Sequence, residues 1–135
     1  SEGCAPLRRA HYLRIDEGSD ETGFAAAVAE PERFMWPWED EPRSAASGIL
    51  DDVTYDWLPL SWGMSATGGF ALVATEHHVE VAHLMGVEHT PIDVDATGTA
   101  GLAGLLQAIE TGLVTSDETV TVVFTGRRRS HRAST

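Results

Sequence analysis

The residues best suited to chemistry stand at the end of Thr119 to Gly126, TVTVVFTG. This is a short β-branched, apolar run that stops at a hydroxyl residue and a glycine, with arginines following. Flanked by turn signals, such a run reads as a parallel strand buried on both faces. Ligands of parallel sheets collect where strand carboxyl ends break into turns, which would put Thr125 and Gly126 at such a place. A glycine serving only turn geometry is the plainer reading of the same residues.

A second group is Asp93 to Gly98, DVDATG, which leads into a helix from about Thr99 to Thr111. Gly98, Gly101 and Gly104 recur every three residues, and that bare stripe would let another element approach closely. The amino end of the helix offers unpaired N–H groups to an anion or polar ligand. His77, His78 and His83 form a third group. His78 and His83 are five apart rather than the four that places two metal ligands on one helical face, so exposed polar histidines are the expectation.

Positioning elements follow from local signals. Pro6 suits the first turn of a helix from Ala5 to about Arg14, and Thr22 can cap a small helix that Pro31 stops. The stretch from Phe34 to Pro42 holds two prolines and two tryptophans and reads as an ordered loop, either a lid or a patch tucked against the body. Ser44 to Ile49, SAASGI, is a small-residue turn. Asp51 or Asp52 can cap a following helix whose apolar residues, Tyr55, Trp57, Leu58, Leu60, Trp62 and Met64, cover most of its circumference and predict burial or an interface. Pro59 predicts a kink or a late start there, and Gly68-Gly69 an end. Phe70 to Ala74 reads as a strand, Thr75 as the start of a helix from Glu76 to Met85 closed by Gly86, and Gly112 as the end of the next helix. The order is that of an α/β domain, residues 1–126, with a basic, disordered tail expected at 127–135. Two strands are too few for a finished doubly wound sheet, and the chain opens at Ser1 without a methionine, so a piece of a longer reading frame is expected.

Composition narrows the function classes. The nine positive residues are all Arg, and four of them lie at 127, 128, 129 and 132; residues 1–126 carry five Arg against 21 acidic residues. Such a body repels nucleic acid and anionic membranes. No apolar run approaches the roughly 20 residues that span a bilayer, and no signal peptide opens the chain, so a cytoplasmic protein is expected. Cys4 is the single cysteine, which rules out an internal disulfide and a thiolate cluster.

Four stretches, in order, resemble the carboxyl-terminal third of pyridoxal-phosphate enzymes of fold type II, in particular the threonine synthase branch. They are Ser1-Glu2-Gly3-Cys4-Ala5-Pro6, Ser44-Ala45-Ala46-Ser47-Gly48-Ile49, the run from Asp95 to Gly104 (DATGTAGLAG), and Val123-Phe124-Thr125-Gly126. The resemblance implies a two-domain α/β fold with cofactor between the domains, of which this chain is the last part of the larger domain, with a parallel-type sheet and flanking helices. It implies that Thr125 donates a hydrogen bond to the pyridine nitrogen of pyridoxal 5'-phosphate, beside Gly126, and that Thr97 and Gly98 form the turn next to the ring. A neutral hydroxyl leaves that ring a weaker electron sink, suited to elimination or replacement at the β or γ carbon of an amino acid or its phosphoester. The chain departs from the family in two respects. It contains no lysine to form the Schiff base, and Gly68-Gly69 is too short to cradle the phosphate. The expected molecule is therefore inactive alone, has a small amino-acid substrate only in its parent, and leaves a homo-oligomer open. A different class fits the same residues: a non-catalytic module that binds a protein partner through Trp36, Trp38, Trp57 and Trp62.

Overall fold

The computed structural model describes residues 1–18 and 21–128. Its elements are five α-helices, α1 (Pro6–Glu17), α2 (Glu21–Ala29), α3 (Trp57–Thr67), α4 (Glu76–His89) and α5 (Ala100–Glu110), with 3-10 turns at Pro31–Arg33 and Ser47–Ile49. They fall into two compact units. One holds Ser1, residues 45–49 and everything described from Ala74 onward; the other holds residues 2–44 and 50–73.

In the second of these units, α1, α2 and α3 close over Ala10, Ala27, Phe34, Met35 and Trp57. The Phe34 and Trp57 rings stack with centroids 6.0 Å apart. Pro59 sits in the first turn of α3, where its missing N–H costs nothing, so the late start replaces the kink. Gly68 ends that helix in the left-handed region at φ 70°, as Gly112 does after α5 at φ 73°. Neither Asp51 nor Asp52 caps α3; Asp56 precedes it and makes no side-chain cap bond. Of the two expectations for α3, burial or an interface, all-round burial is not found. Trp57 and Ser61 are buried on one stripe, while Leu60 and Trp62 are 42% and 61% exposed on the other side.

Arg14 is wholly buried in this unit. Its Nε donates to Ser61 Oγ (2.9 Å), Nη2 to Ser65 Oγ (2.7 Å) and Nη1 to the Gly18 carbonyl (3.4 Å), and its guanidinium lies 4.1 Å from the Phe24 ring centroid. Hydroxyls, a carbonyl and a π face thus replace the water the charge has lost. His11, also buried, places Nδ1 2.8 Å from the same Ser61 oxygen. Serine that donates to His11 and accepts from Arg14 satisfies all three groups when the imidazole is neutral. The aromatic loop resolves as a tucked patch. Arg9 lies over Trp36 at 3.8 Å and Trp38 at 5.1 Å and pairs with Glu39 at 2.9 Å. The Trp36 indole N–H, donating to Glu39, holds that carboxyl below its usual range.

In the other unit α4 packs on α5 over Ala46, Ala74, Val79, Ala82 and Ala103. Thr75 caps α4, its Oγ1 accepting the His78 N–H. Gly86 does not close that helix, which runs on to His89. A side chain there would meet Thr99 Cγ2 at 2.7 Å and Val94 Cγ2 at 2.9 Å, so this glycine marks a close contact rather than an end.

Among the described residues no strand forms, at Phe70 to Ala74 or at Thr119 to Gly126, and the one bridge is the antiparallel pair Val94 and Arg127. The expected sheet is therefore not built within them, since a ladder needs a second strand and neither run meets one in its own unit. Residues 121–126 keep a period of two in their exposure. Val122, Phe124 and Gly126 are half-buried, and Thr121, Val123 and Thr125 exposed, so one face is covered instead of the two expected. Of the tail, residues 129–135 lie outside the described residues, whereas Arg128 N–H donates to the Asp93 carbonyl at 2.8 Å. No helix among the described residues is long and apolar enough to cross a membrane.

Burial first, and Arg14 second, hold His11 below the ordinary imidazole pKa. The unfolded chain therefore binds the extra proton first, and the stability this group contributes is full above the ordinary value and lost as pH falls beneath it. Chemical denaturation between about pH 7.5 and pH 5 should show falling stability in the wild type and a shallower fall in His11→Gln.

Candidate functional site

The sequence-nominated residues of the α4–α5 unit meet at one crossing. The chain from Asp93 to Thr99 turns into α5, and the run from Thr125 to Arg128 lies beside it. Asp95 Oδ1 accepts the Gly98 N–H at 2.6 Å, an aspartate turn that fixes the bend. Thr99 Oγ1 donates back toward the carbonyls of Asp95 (3.2 Å) and Ala96 (3.3 Å), closing the same bend from inside. Thr125 N–H donates to the Gly98 carbonyl at 3.1 Å. From the third segment, Gly48 N–H donates to Thr97 Oγ1 at 2.9 Å.

The glycines are graded along the helix. A Cβ on Gly98 would lie 2.0 Å from the Gly126 carbonyl oxygen, which no packing allows. One on Gly101 would sit 3.6 Å from the Val123 carbonyl, ordinary contact, and one on Gly104 would meet nothing. A Cβ on Gly126 would press on Asp95 Oδ1 at 2.9 Å. Close approach is thus concentrated where Gly98 and Gly126 pass each other.

The crossing buries Gly98, half-buries Thr97 and Gly126, and leaves Thr125 exposed. Chemically it offers an exposed hydroxyl residue, Thr125, on a backbone pinned by its own N–H. Thr97 is spent on positioning, since its oxygen already accepts from Gly48. Asp95 is the member that spacing did not single out. Its signal was legible as an aspartate three residues before a glycine at a turn.

Elsewhere, of the three histidines expected to be exposed, His77 is exposed, while His78 and His83 are half-buried and His78 takes structural work. His78 places Nδ1 2.7 Å from Thr75 Oγ1 and Nε2 2.9 Å from Glu110 Oε2, tying the start of α4 to the end of α5. No group of three ligand-type side chains that could hold a metal occurs among the described residues. The His11–Ser61 pair has the spacing of a base and a hydroxyl nucleophile, but both are sealed from solvent, at 2% and 0% exposure, which bars a substrate. An open apolar groove of about 410 Å³ is lined by Phe24, Val28, Leu58, Pro59 and Trp62, with Glu21 at its side. Of the four tryptophans, Trp57 is buried and Trp36 and Trp38 are covered by Arg9, so Trp62 alone stands largely free.

No protein-family model, no curated protein and no solved structure matches the chain.

The grading of the glycines predicts opposite signs for one substitution. Gly98→Ala should lower stability by about 1–3 kcal/mol through overpacking, while Gly104→Ala should raise it by about 0.5–1 kcal/mol through helix propensity. Thermal unfolding of both variants checks this.

Proposed function

We propose that this chain is the carboxyl-terminal portion of a pyridoxal-phosphate-dependent lyase or synthase similar to threonine synthase, part of the larger α/β domain of a two-domain fold type II enzyme. The reaction class is elimination or replacement at the β or γ carbon of an amino acid or its phosphoester. The observation that supports the reading is convergence. Gly48, Thr97, Gly98, Thr125 and Gly126 come from three of the four family-like stretches; hydrogen bonds join Gly48 to Thr97 and Thr125 to Gly98, and Gly126 passes directly against Gly98.

One part of the cofactor, the pyridine ring, is what these residues would hold. Thr125 is an exposed hydroxyl residue that would serve a ring nitrogen, and the neighbouring Thr97–Gly98 turn is made of small residues. When bound, the cofactor supplies the electron sink that lets a bond at the amino acid's α carbon break. Thr125 would orient the ring by donating to its nitrogen while leaving that nitrogen unprotonated, because a neutral hydroxyl does not hold a full positive charge there. Gly98 and Gly126 hold the Thr125 backbone in register, and Asp95 holds Gly98. The chain contains no lysine, so covalent attachment needs a residue from another segment, and the chain alone is catalytically inactive.

A second reading has its own support in the groove beside the exposed Trp62: a non-catalytic module that binds a protein partner through that face. With Trp57 buried, this surface is narrower than the four tryptophans suggested.

The parent polypeptide distinguishes the two. Incubated with pyridoxal phosphate, it should show a visible absorbance band that borohydride removes, and Thr125→Val should shift the band and lower turnover with the fold intact. A parent that binds no cofactor contradicts the enzymatic reading.

A further inference from the structure

We propose that residues 119–126 form a self-pairing edge, along which two copies of this chain join antiparallel. The backbone supports this first. Among the described residues, the N–H and C=O groups of residues 119–124 make no backbone hydrogen bond, whereas Thr125 and Arg128 are each tied by one. A β-branched run with open donors and acceptors is a template for another strand. The side chains add to it. Val122 and Phe124 are turned toward α5 and α4, near Gly101 and Gly86, while Val120 and Val123 stand 44% and 69% exposed.

Charge selects the occupant. The segment itself is uncharged, Asp117 and Glu118 precede it, and Arg127 and Arg128 follow it. In an antiparallel pair of identical segments centred on Val122 or Val123, the acidic end of each copy faces the basic end of the other, twice by two-fold symmetry. Parallel pairing would set acid on acid and Arg on Arg. Arg128 is 60% exposed and held only by a long, exposed pair with Asp93 at 4.0 Å, which a partner's carboxylate could replace. Two copies of net charge −12 repel in general, so the end pairs supply the orientation that the apolar middle lacks. A longer polypeptide bringing its own neighbouring strand would use the same edge, so the inference concerns this chain as a separate molecule, and it stands or falls apart from the cofactor reading.

The test is sedimentation velocity with amide hydrogen exchange on the full chain. A concentration-dependent monomer–dimer equilibrium is expected, with amides of residues 119–124 protected in the dimer. Successive residues of an extended chain present N–H groups to opposite edges, so at least one of Val122→Pro and Val123→Pro should give a monomer with unchanged helical circular dichroism. The double variant Arg127→Glu and Arg128→Glu should weaken the dimer roughly tenfold, and adding Asp117→Arg and Glu118→Arg to the same chain should restore it. The proposal is overturned by a monomer at every concentration, by open-ended aggregates, by a dimer whose residues 119–124 exchange freely, by proline variants that both still dimerise, or by a fourfold reversal that fails to restore pairing. A monomer would leave the cofactor band of the parent untouched.

Discussion

The passage of Gly98 past Gly126 is the constraint on which the α4–α5 unit depends. At this point two backbones come closer than any side chain permits, and the carboxylate of Asp95 occupies the remaining space on one side. The consequences spread outward. The bend at Gly98 brings Thr99 and Val94 against Gly86, which seats α4, and α5 starts at the bend itself. The run from Val122 to Arg128 is then laid over both helices, and Thr125 is left exposed. The position of Thr125 is thus set by a backbone crossing, which is the preorganisation the proposed ring donor would need.

The α1–α3 unit is held by different physics. Its centre combines the Phe34–Trp57 stack with a buried cation, Arg14, whose donors are matched by two serines and a carbonyl. Such a knot adds specificity of packing more than net stability, because desolvating a guanidinium consumes most of what its bonds return. Burial, and then Arg14, also holds His11 below the ordinary imidazole pKa. The apolar groove beside α2 and α3 opens from the same unit, with Phe24 shared between its wall and the Arg14 guanidinium.

What could be read in the sequence was what is decided locally. Thr75 as a cap, Gly68 and Gly112 as helix ends and Pro59 as a delayed start depend on neighbours within a turn, and the structure has them. Gly86 reads as a helix end in the sequence because a glycine that ends a helix and one that admits Thr99 look alike without the partner. The Arg14–Ser61–His11 knot was not legible, since its members lie about fifty positions apart and each type has many commoner roles. The two β-branched runs declared their residue preference and, at 121–126, their period. A strand is completed by its neighbour, however, and residue preference alone does not supply one. Small-residue stretches were informative as a set: Gly48, Thr97, Gly98 and Gly126 were singled out far apart and lie together.

The central claim is that this crossing is a seat for the pyridine ring of the cofactor. It is tested most directly by titrating the isotope-labelled chain with 4'-deoxypyridoxine 5'-phosphate, which lacks the aldehyde and so needs no lysine, and following amide shifts by NMR. The account predicts that shifts gather at Gly48, Thr97, Gly98, Thr125 and Gly126 and that Thr125→Val abolishes them. Shifts gathered instead around Leu58 and Trp62, or a crossing that stays silent at saturating ligand, would contradict it.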